Sequence, residues 1–438
     1  MLREHILSAL LVVSAVWATT AGQIMLEFVF LYPLFMSFIW ITGALYYYYH
    51  WEVRSPGAND APELPEYPFI SILVPCCNEE TQVVETIASL AAQNYPAFEI
   101  VAINDGSQDR TGEILDSLPA HYPQLRIIHH TANQGKAMAL RSASMAAKAE
   151  YLVCIDCDTI LHPNAIRHMI LAFLQNPRVG AVTGNPRVRS RSNLLAKVQI
   201  GEYSSIIGMI KRAQRVYGCV FTISGVICAF RRRALQDVNY WAADMITEDI
   251  DISWALQRQH WAIQYIPNAI GWILVPETLR GLWNQRLRWA QGGAEAFLKY
   301  FFHSLSWKRR RMWGIFLEYF VSVSWAFVYL LAVILYIVGK FVTLPAGLYV
   351  KTIFPPAFWG LVLATTCLLQ ALTSILIETR YEPRLWRSLL CVIWYPLFYW
   401  ALTMVTALIG FPKALFNLRR KRALWYSPDR DRRLPSPT

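Results

Sequence analysis

Hydrophobic positions along the chain change their spacing three times. Residues 6–21 and 28–49 are nearly continuous apolar runs, and the second closes in Tyr46-Tyr47-Tyr48-Tyr49-His50-Trp51, an aromatic cluster suited to a membrane interface. The pattern predicts N-terminal transmembrane helices within residues 1–50. A cleaved signal peptide is the competing reading of the first run. It is disfavoured because Arg3 is balanced by Glu4 and a second run follows at once.

Residues 55–68, rich in Pro, Ala and Glu, read as a linker. Beyond them come short β-branched apolar runs at 69–75, 98–103, 125–129, 151–155 and 179–183. Helical patterns at 79–93, 109–118 and 136–148 lie between them. This alternation predicts an α/β domain over residues 69–285, with a mostly parallel sheet covered by helices on both faces. Ligands of such sheets collect at the carboxyl ends of the strands, where Asn78, Asp105 and Asp156 fall.

The last change comes past Arg311. Apolar runs at 315–338, 358–377 and 389–410 are each long enough to span hydrocarbon, which predicts C-terminal transmembrane helices within 312–412. Residues 287–305 mix Trp289, Phe297, Leu298, Phe301 and Phe302 with Lys299 and polar positions. They predict an interfacial helix region over 286–311, the plainer reading being a helix packed on the globular core. Residues 413–438 form a basic tail. Three spans after a cytoplasmic domain would place that tail outside, against the positive-inside tendency, unless the Pro396-containing run does not cross fully.

Composition supports a mixed protein: 55% hydrophobic, yet 16% charged over 438 residues. The net charge of +11 would suit nucleic acid, but its basic clusters, Lys308-Arg309-Arg310-Arg311 and Arg419-Arg420-Lys421-Arg422, flank apolar runs. That placement points to membrane lipids and no nucleic acid. The eight cysteines show no disulfide spacing, and Cys154-x-x-Cys157 has no second pair to complete a zinc site.

Four motifs carry chemistry. Asp105, in Asn104-Asp105-Gly106-Ser107, ends a strand and can accept from a uracil N–H or a ribose hydroxyl, although the same residues make an ordinary turn. Asp156-Cys157-Asp158 ends another, with both carboxylates on one side, able to approach one hard cation and the diphosphate it neutralises. Thr247-Glu248-Asp249 opens a helix. It is either a capping sequence or the source of a general base for an acceptor hydroxyl, and periodicity does not choose between Glu248 and Asp249. In Gln285-Arg286-Leu287-Arg288-Trp289, positions i and i+3 share a helix face. Arg288 offers a fork of donors to a diphosphate and Trp289 a flat face to a sugar ring. Lys136, in Asn133-Gln134-Gly135-Lys136, either faces the nucleotide or is an ordinary helix-start lysine.

In this order, and with membrane-length runs on either side, the motifs resemble the processive family-2 glycosyltransferases: cellulose, chitin and hyaluronan synthases and the bacterial makers of N-acetylglucosamine biofilm exopolysaccharide. The likeness continues through Val182-Thr183-Gly184-Asn185-Pro186, Gly201-Glu202-Tyr203-Ser204-Ser205, Arg288-Trp289-Ala290-Gln291-Gly292-Gly293-Ala294-Glu295 and Trp425-Tyr426-Ser427-Pro428-Asp429-Arg430. It implies a GT-A type nucleotide-sugar domain on the cytoplasmic side of the cell inner membrane. UDP-N-acetylglucosamine would be the donor, a growing β-1,6-linked polysaccharide the product, and Mg2+ or Mn2+ the cofactor, in an inverting single displacement. It places Asp105 at the uridine, Asp156 at the diphosphate, Asp158 at the metal, and Lys136 and Arg288 at the nucleotide. Asp249 becomes the base, with Glu248, Gln285 and Trp289 at the acceptor end. A small two-span membrane subunit and activation by cyclic di-GMP are further implications. The rivals are a polyprenyl-phosphate glycosyltransferase adding a single sugar, a synthase of another β-linked polysaccharide, and a non-catalytic membrane subunit or transporter that merely keeps the fold.

Overall fold

The computed structural model describes residues 2–190, 193–354, 357–388, 395–417 and 423. The β-branched runs become β1 (Ile70–Cys76), β2 (Phe98–Asp105), β3 (Leu125–His130), β4 (Tyr151–Ile155) and β6 (Val179–Val188). Three strands were not predicted: β5 (Ile160–Leu161), β7 (Ile227–Arg231) and β8 (Ala262–Ile273). All eight join one sheet in the order β3-β2-β1-β4-β7-β6-β8-β5. β1 pairs in parallel with β2 and β4, β2 with β3, and β6 with β8. β7 runs antiparallel between β4 and β6.

β1, β4 and β6 are buried at every position, which requires cover on both faces of the sheet. Alternation along β1 supplies it. Ile70, Ile72 and Val74 join a core with Ile87, Leu90, Met169 and Phe173, from helices Val83–Ala91 and Ala165–Gln175. Leu73 points the other way, into a core with Ala139, Leu140, Ile252 and Leu256, from helices Lys136–Ala146 and Glu248–Arg258.

Among the described residues four helices are long and apolar enough to cross a membrane: Gly22–Glu52, Trp307–Val338, Phe358–Glu378 and Phe398–Asn417. The two N-terminal apolar runs lie on one unbroken helix, Leu2–Tyr47. A single Gly22 between them, at about 1 kcal/mol against alanine, does not break a helix whose neighbours favour it. The opening of the third C-terminal run (389–394) and the tail, apart from Ala423, lie outside the described residues, as does the Trp425 to Arg430 stretch.

Helix Leu279–Ser304 joins the two parts. Its first turn is capped by Thr278, whose Oγ1 accepts from the Gly281 N–H at 3.0 Å. Ala296, Phe297 and Tyr300 share a core with Ile250 and Trp254 of helix Glu248–Arg258 and with Ile315 and Phe316 of the following membrane helix. The helix predicted to be interfacial therefore lies between the α/β domain, at helix Glu248–Arg258, and the membrane helices, chiefly Tyr395–Asn417. It leaves Phe302 and Leu305 largely exposed at its far end.

A buried charge network fastens the domain to the membrane helices. Arg212 grips Glu52 with Nε at 2.7 Å and Nη2 at 2.8 Å and donates through Nη1 to Glu378. Arg187 of β6 spans Glu378 and Glu382 at 2.8 and 2.9 Å, and the Tyr381 hydroxyl donates to Glu52 at 2.6 Å.

Candidate active site

At the carboxyl end of β2, Asp105 is fully buried. Its Oδ1 lies 2.7 Å from His130 Nδ1 and accepts the Gln134 N–H at 2.9 Å, while Oδ2 accepts the Gly135 N–H at 2.8 Å. Gly135 has φ +90°, a conformation in which glycine carries no steric penalty. The turn it makes starts helix Lys136–Ala146 and sends Lys136 inward. Asp105 thus acts here as the anchor of the Lys136 turn.

Lys136 Nζ sits 2.6 Å from Asp156 Oδ1 and 3.1 Å from Glu248 Oε1, and donates to the Gly225 carbonyl at 3.4 Å. Burial alone would lower this lysine, but the two carboxylates hold its ammonium above the ordinary value. The reciprocal effects differ. Burial raises Asp156, and Lys136 only partly offsets it because Asp158 adds repulsion. Burial also acts on Glu248, yet Lys136 and Arg288 bring it below the usual carboxylate range. Asp249, next along the helix, is pushed up to about 6 by burial and by the Glu248 charge.

Sequence reasoning missed three charged residues at this site. Lys211 is buried with Nζ donating to Ser224 Oγ at 2.6 Å and Thr183 Oγ1 at 3.1 Å. Burial pushes it down to about 7, against the pull of Asp249. Arg286 and Glu202 form an ion pair at 2.5 Å. Lys211 sits in a basic helical stretch with no local signal. Arg286 and Glu202 did fall within the quoted motif and resemblance, but their pairing spans 84 positions.

A cavity of about 420 Å3 connects these groups. Lys136, Asp156, Asp158, Glu248, Asp249, Gln285, Arg288 and Trp289 all line it. Asp105 stands behind it, acting through the turn before Lys136. The cavity continues to Tyr32 and Trp40 of the N-terminal helix, Glu318 and Ser322 of the next, and Tyr399 and Thr403 of the last. Such a site unites buried carboxylates, cations facing a common space, and an aromatic wall, a set suited to an activated, anionic sugar donor and a polyhydroxyl acceptor.

Residues 65–292 match the family model described as glycosyltransferase like family 2. The chain belongs to that family and is a glycosyltransferase. It is 39% identical to a poly-beta-1,6-N-acetyl-D-glucosamine synthase of Staphylococcus epidermidis, over 92% of this chain and 98% of that one. The synthase of the same name from Staphylococcus aureus strain COL is also 39% identical, with the same shares covered. Among solved structures, a mannosyltransferase from Pyrobaculum calidifontis, in complex with GDP-mannose and Mn2+, shares the fold. Its TM-score is 0.59 at 20% identity, covering 90% of this chain and 99% of that one.

Proposed function

We propose that this glycosyltransferase polymerises N-acetylglucosamine from UDP-N-acetylglucosamine into a β-1,6-linked polysaccharide and passes it across the cell inner membrane. The observation that carries the reading is the single cavity joining Asp156, Asp158 and Asp249 to the membrane helices at Trp40, Glu318 and Tyr399. The identity to two synthases of that name supports the sugar and the linkage. An enzyme transferring one sugar to a lipid has no growing chain to lodge among membrane helices.

In the proposed reaction the hydroxyl of the chain end attacks the anomeric carbon of the donor as its bond to UDP breaks. Asp249 takes the hydroxyl proton. Lys136 and Arg288 face the diphosphate and stabilise the charge developing on it. One base is sufficient for an inverting displacement, unlike the two carboxylates of a retaining hydrolase. Asp156 and Asp158 fit a divalent cation: both are buried carboxylates at one strand end, and burial and mutual repulsion already disfavour the Asp156 charge. Such a cation, Mg2+ or Mn2+, neutralises diphosphate charge when bound. Asp105, through the Gln134–Gly135 turn, places Lys136 and stands near the uridine. The catalytic region is proposed as 69–285 on the cytoplasmic side, followed by the 286–311 and membrane regions. A two-span partner subunit and cyclic di-GMP activation complete the reading and rest on the family resemblance alone.

The test is product size. Membranes given labelled UDP-N-acetylglucosamine should yield long polymer whose linkage analysis returns β-1,6 bonds, and EDTA should abolish synthesis until Mg2+ or Mn2+ is restored. A lipid carrying one sugar would refute it.

A further inference from the structure

Between Gln285 and Trp289 lies a second arginine, Arg286, buried at 5% exposure. It is held by Glu202, whose Oε2 lies 2.5 Å from Nη2. Nη1 donates to Gln285 Oε1 at 2.6 Å, and the guanidinium carbon lies 4.0 Å from the centroid of the Trp289 ring. One residue thus engages both side chains that the cavity presents beside Arg288.

Two consequences follow from donor and acceptor chemistry. A guanidinium has donors only, so the Gln285 amide oxygen must face it, and the amide's NH2 is left as the end offered elsewhere. The arginine also covers one face of Trp289 in a cation–π contact, leaving the opposite face for a ring. A sugar on that face meets the donor end of the amide, because its oxygen is turned to Arg286.

We propose that Arg286, anchored by Glu202, is a positioning residue for the acceptor end of the chain. It holds Trp289 for stacking and fixes Gln285 to donate its amide N–H to the acetamido carbonyl oxygen of the terminal sugar. This rests on the polymer reading above. The platform distinguishes N-acetylglucosamine, which offers a carbonyl oxygen there, from glucosamine, whose ammonium offers only donors.

The full chain in native membranes, given UDP-N-acetylglucosamine, partitions its donor between polymer and free N-acetylglucosamine, the product of water attacking in place of the chain. Arg286→Lys keeps the charge beside Glu202 but loses the fork and the stack. It is expected to release roughly tenfold more free sugar per sugar polymerised, as a misplaced acceptor loses to water. General structural damage lowers both products together and leaves the ratio unchanged. Should Arg286→Lys not fold, Glu202→Gln, which keeps an oxygen for Nη2 without the charge, reads the same ratio. Gln285→Glu still accepts from Arg286 but has nothing to donate. It is expected to lose at least about tenfold of the preference for acetylated over deacetylated oligosaccharide acceptors. An unchanged partition in the first variant, or an unchanged preference in the last, overturns the inference. No UDP release by native membranes that carry the unmodified chain overturns the polymer reading beneath it.

Discussion

Glu248 and Asp249 are adjacent in sequence and differ sharply in charge environment. Lys136 stands 3.1 Å from Glu248, whereas the Asp249 Oδ1 accepts from its own following backbone N–H, that of Ile250, at 2.9 Å. The lysine holds Glu248 ionised, and that charge makes ionisation of Asp249 harder. A base works best with a pKa near the working pH, and a carboxyl pushed up to about 6 is closer to that than an ordinary aspartate. Asp249→Asn should therefore reduce polymer synthesis by roughly 10²–10⁴-fold while donor binding, read by nucleotide titration, persists. The base acts ionised and the shift is upward, so kcat/KM should fall about tenfold per unit as the pH drops below about 6 and level off above it. A profile flat to pH 5 would remove Asp249 from the role.

At the scale of elements, two glycines set how closely the helices of the site approach. A Cβ on Gly292 would lie 2.1 Å from Thr247 Oγ1, and one on Gly410 would lie 2.9 Å from the Gln291 nitrogen. The helix with Gln285 and Trp289 is thus pressed between the turn bearing Asp249 and the last membrane helix. Gly292→Ala should force that turn aside, at a cost of about 1–3 kcal/mol. Synthesis should fall steeply, while the amount of membrane-inserted protein, read by fluorescence of a fused reporter, stays near normal. The sequence pattern showed much of this architecture, because strands buried on both faces read as continuous β-branched runs. It did not show β7, whose Ile227-Cys228-Ala229-Phe230-Arg231 has a single β-branched residue, or β8, where Pro267 and Gly271 interrupt the strand signal. The acidic motifs were legible because each closes a strand or opens a helix. Lys211 and the Arg286–Glu202 pair were not, since their partners come from distant segments and leave no local period.

Across the whole molecule, the Arg212 network joins the end of the N-terminal helix, β6 and the end of helix Ala357–Glu378. Removing one member of a buried ion pair strands the other, typically at 3–5 kcal/mol. Glu52→Ala should accordingly lower the thermal midpoint of the detergent-solubilised protein by several degrees, on the order expected for that loss. An unchanged midpoint would mean that water reaches Arg212. The contact at Gly410 has a consequence in time. Ribosomes deliver the carboxylates, Lys136 and Trp289 long before the last helix, which packs on Gln291 and lines the cavity through Tyr399 and Thr403. A chain ending before Tyr395 should insert, yet release little UDP from donor. The enzyme would then stay silent during its own biogenesis and begin to spend sugar nucleotide only once an exit for the product exists.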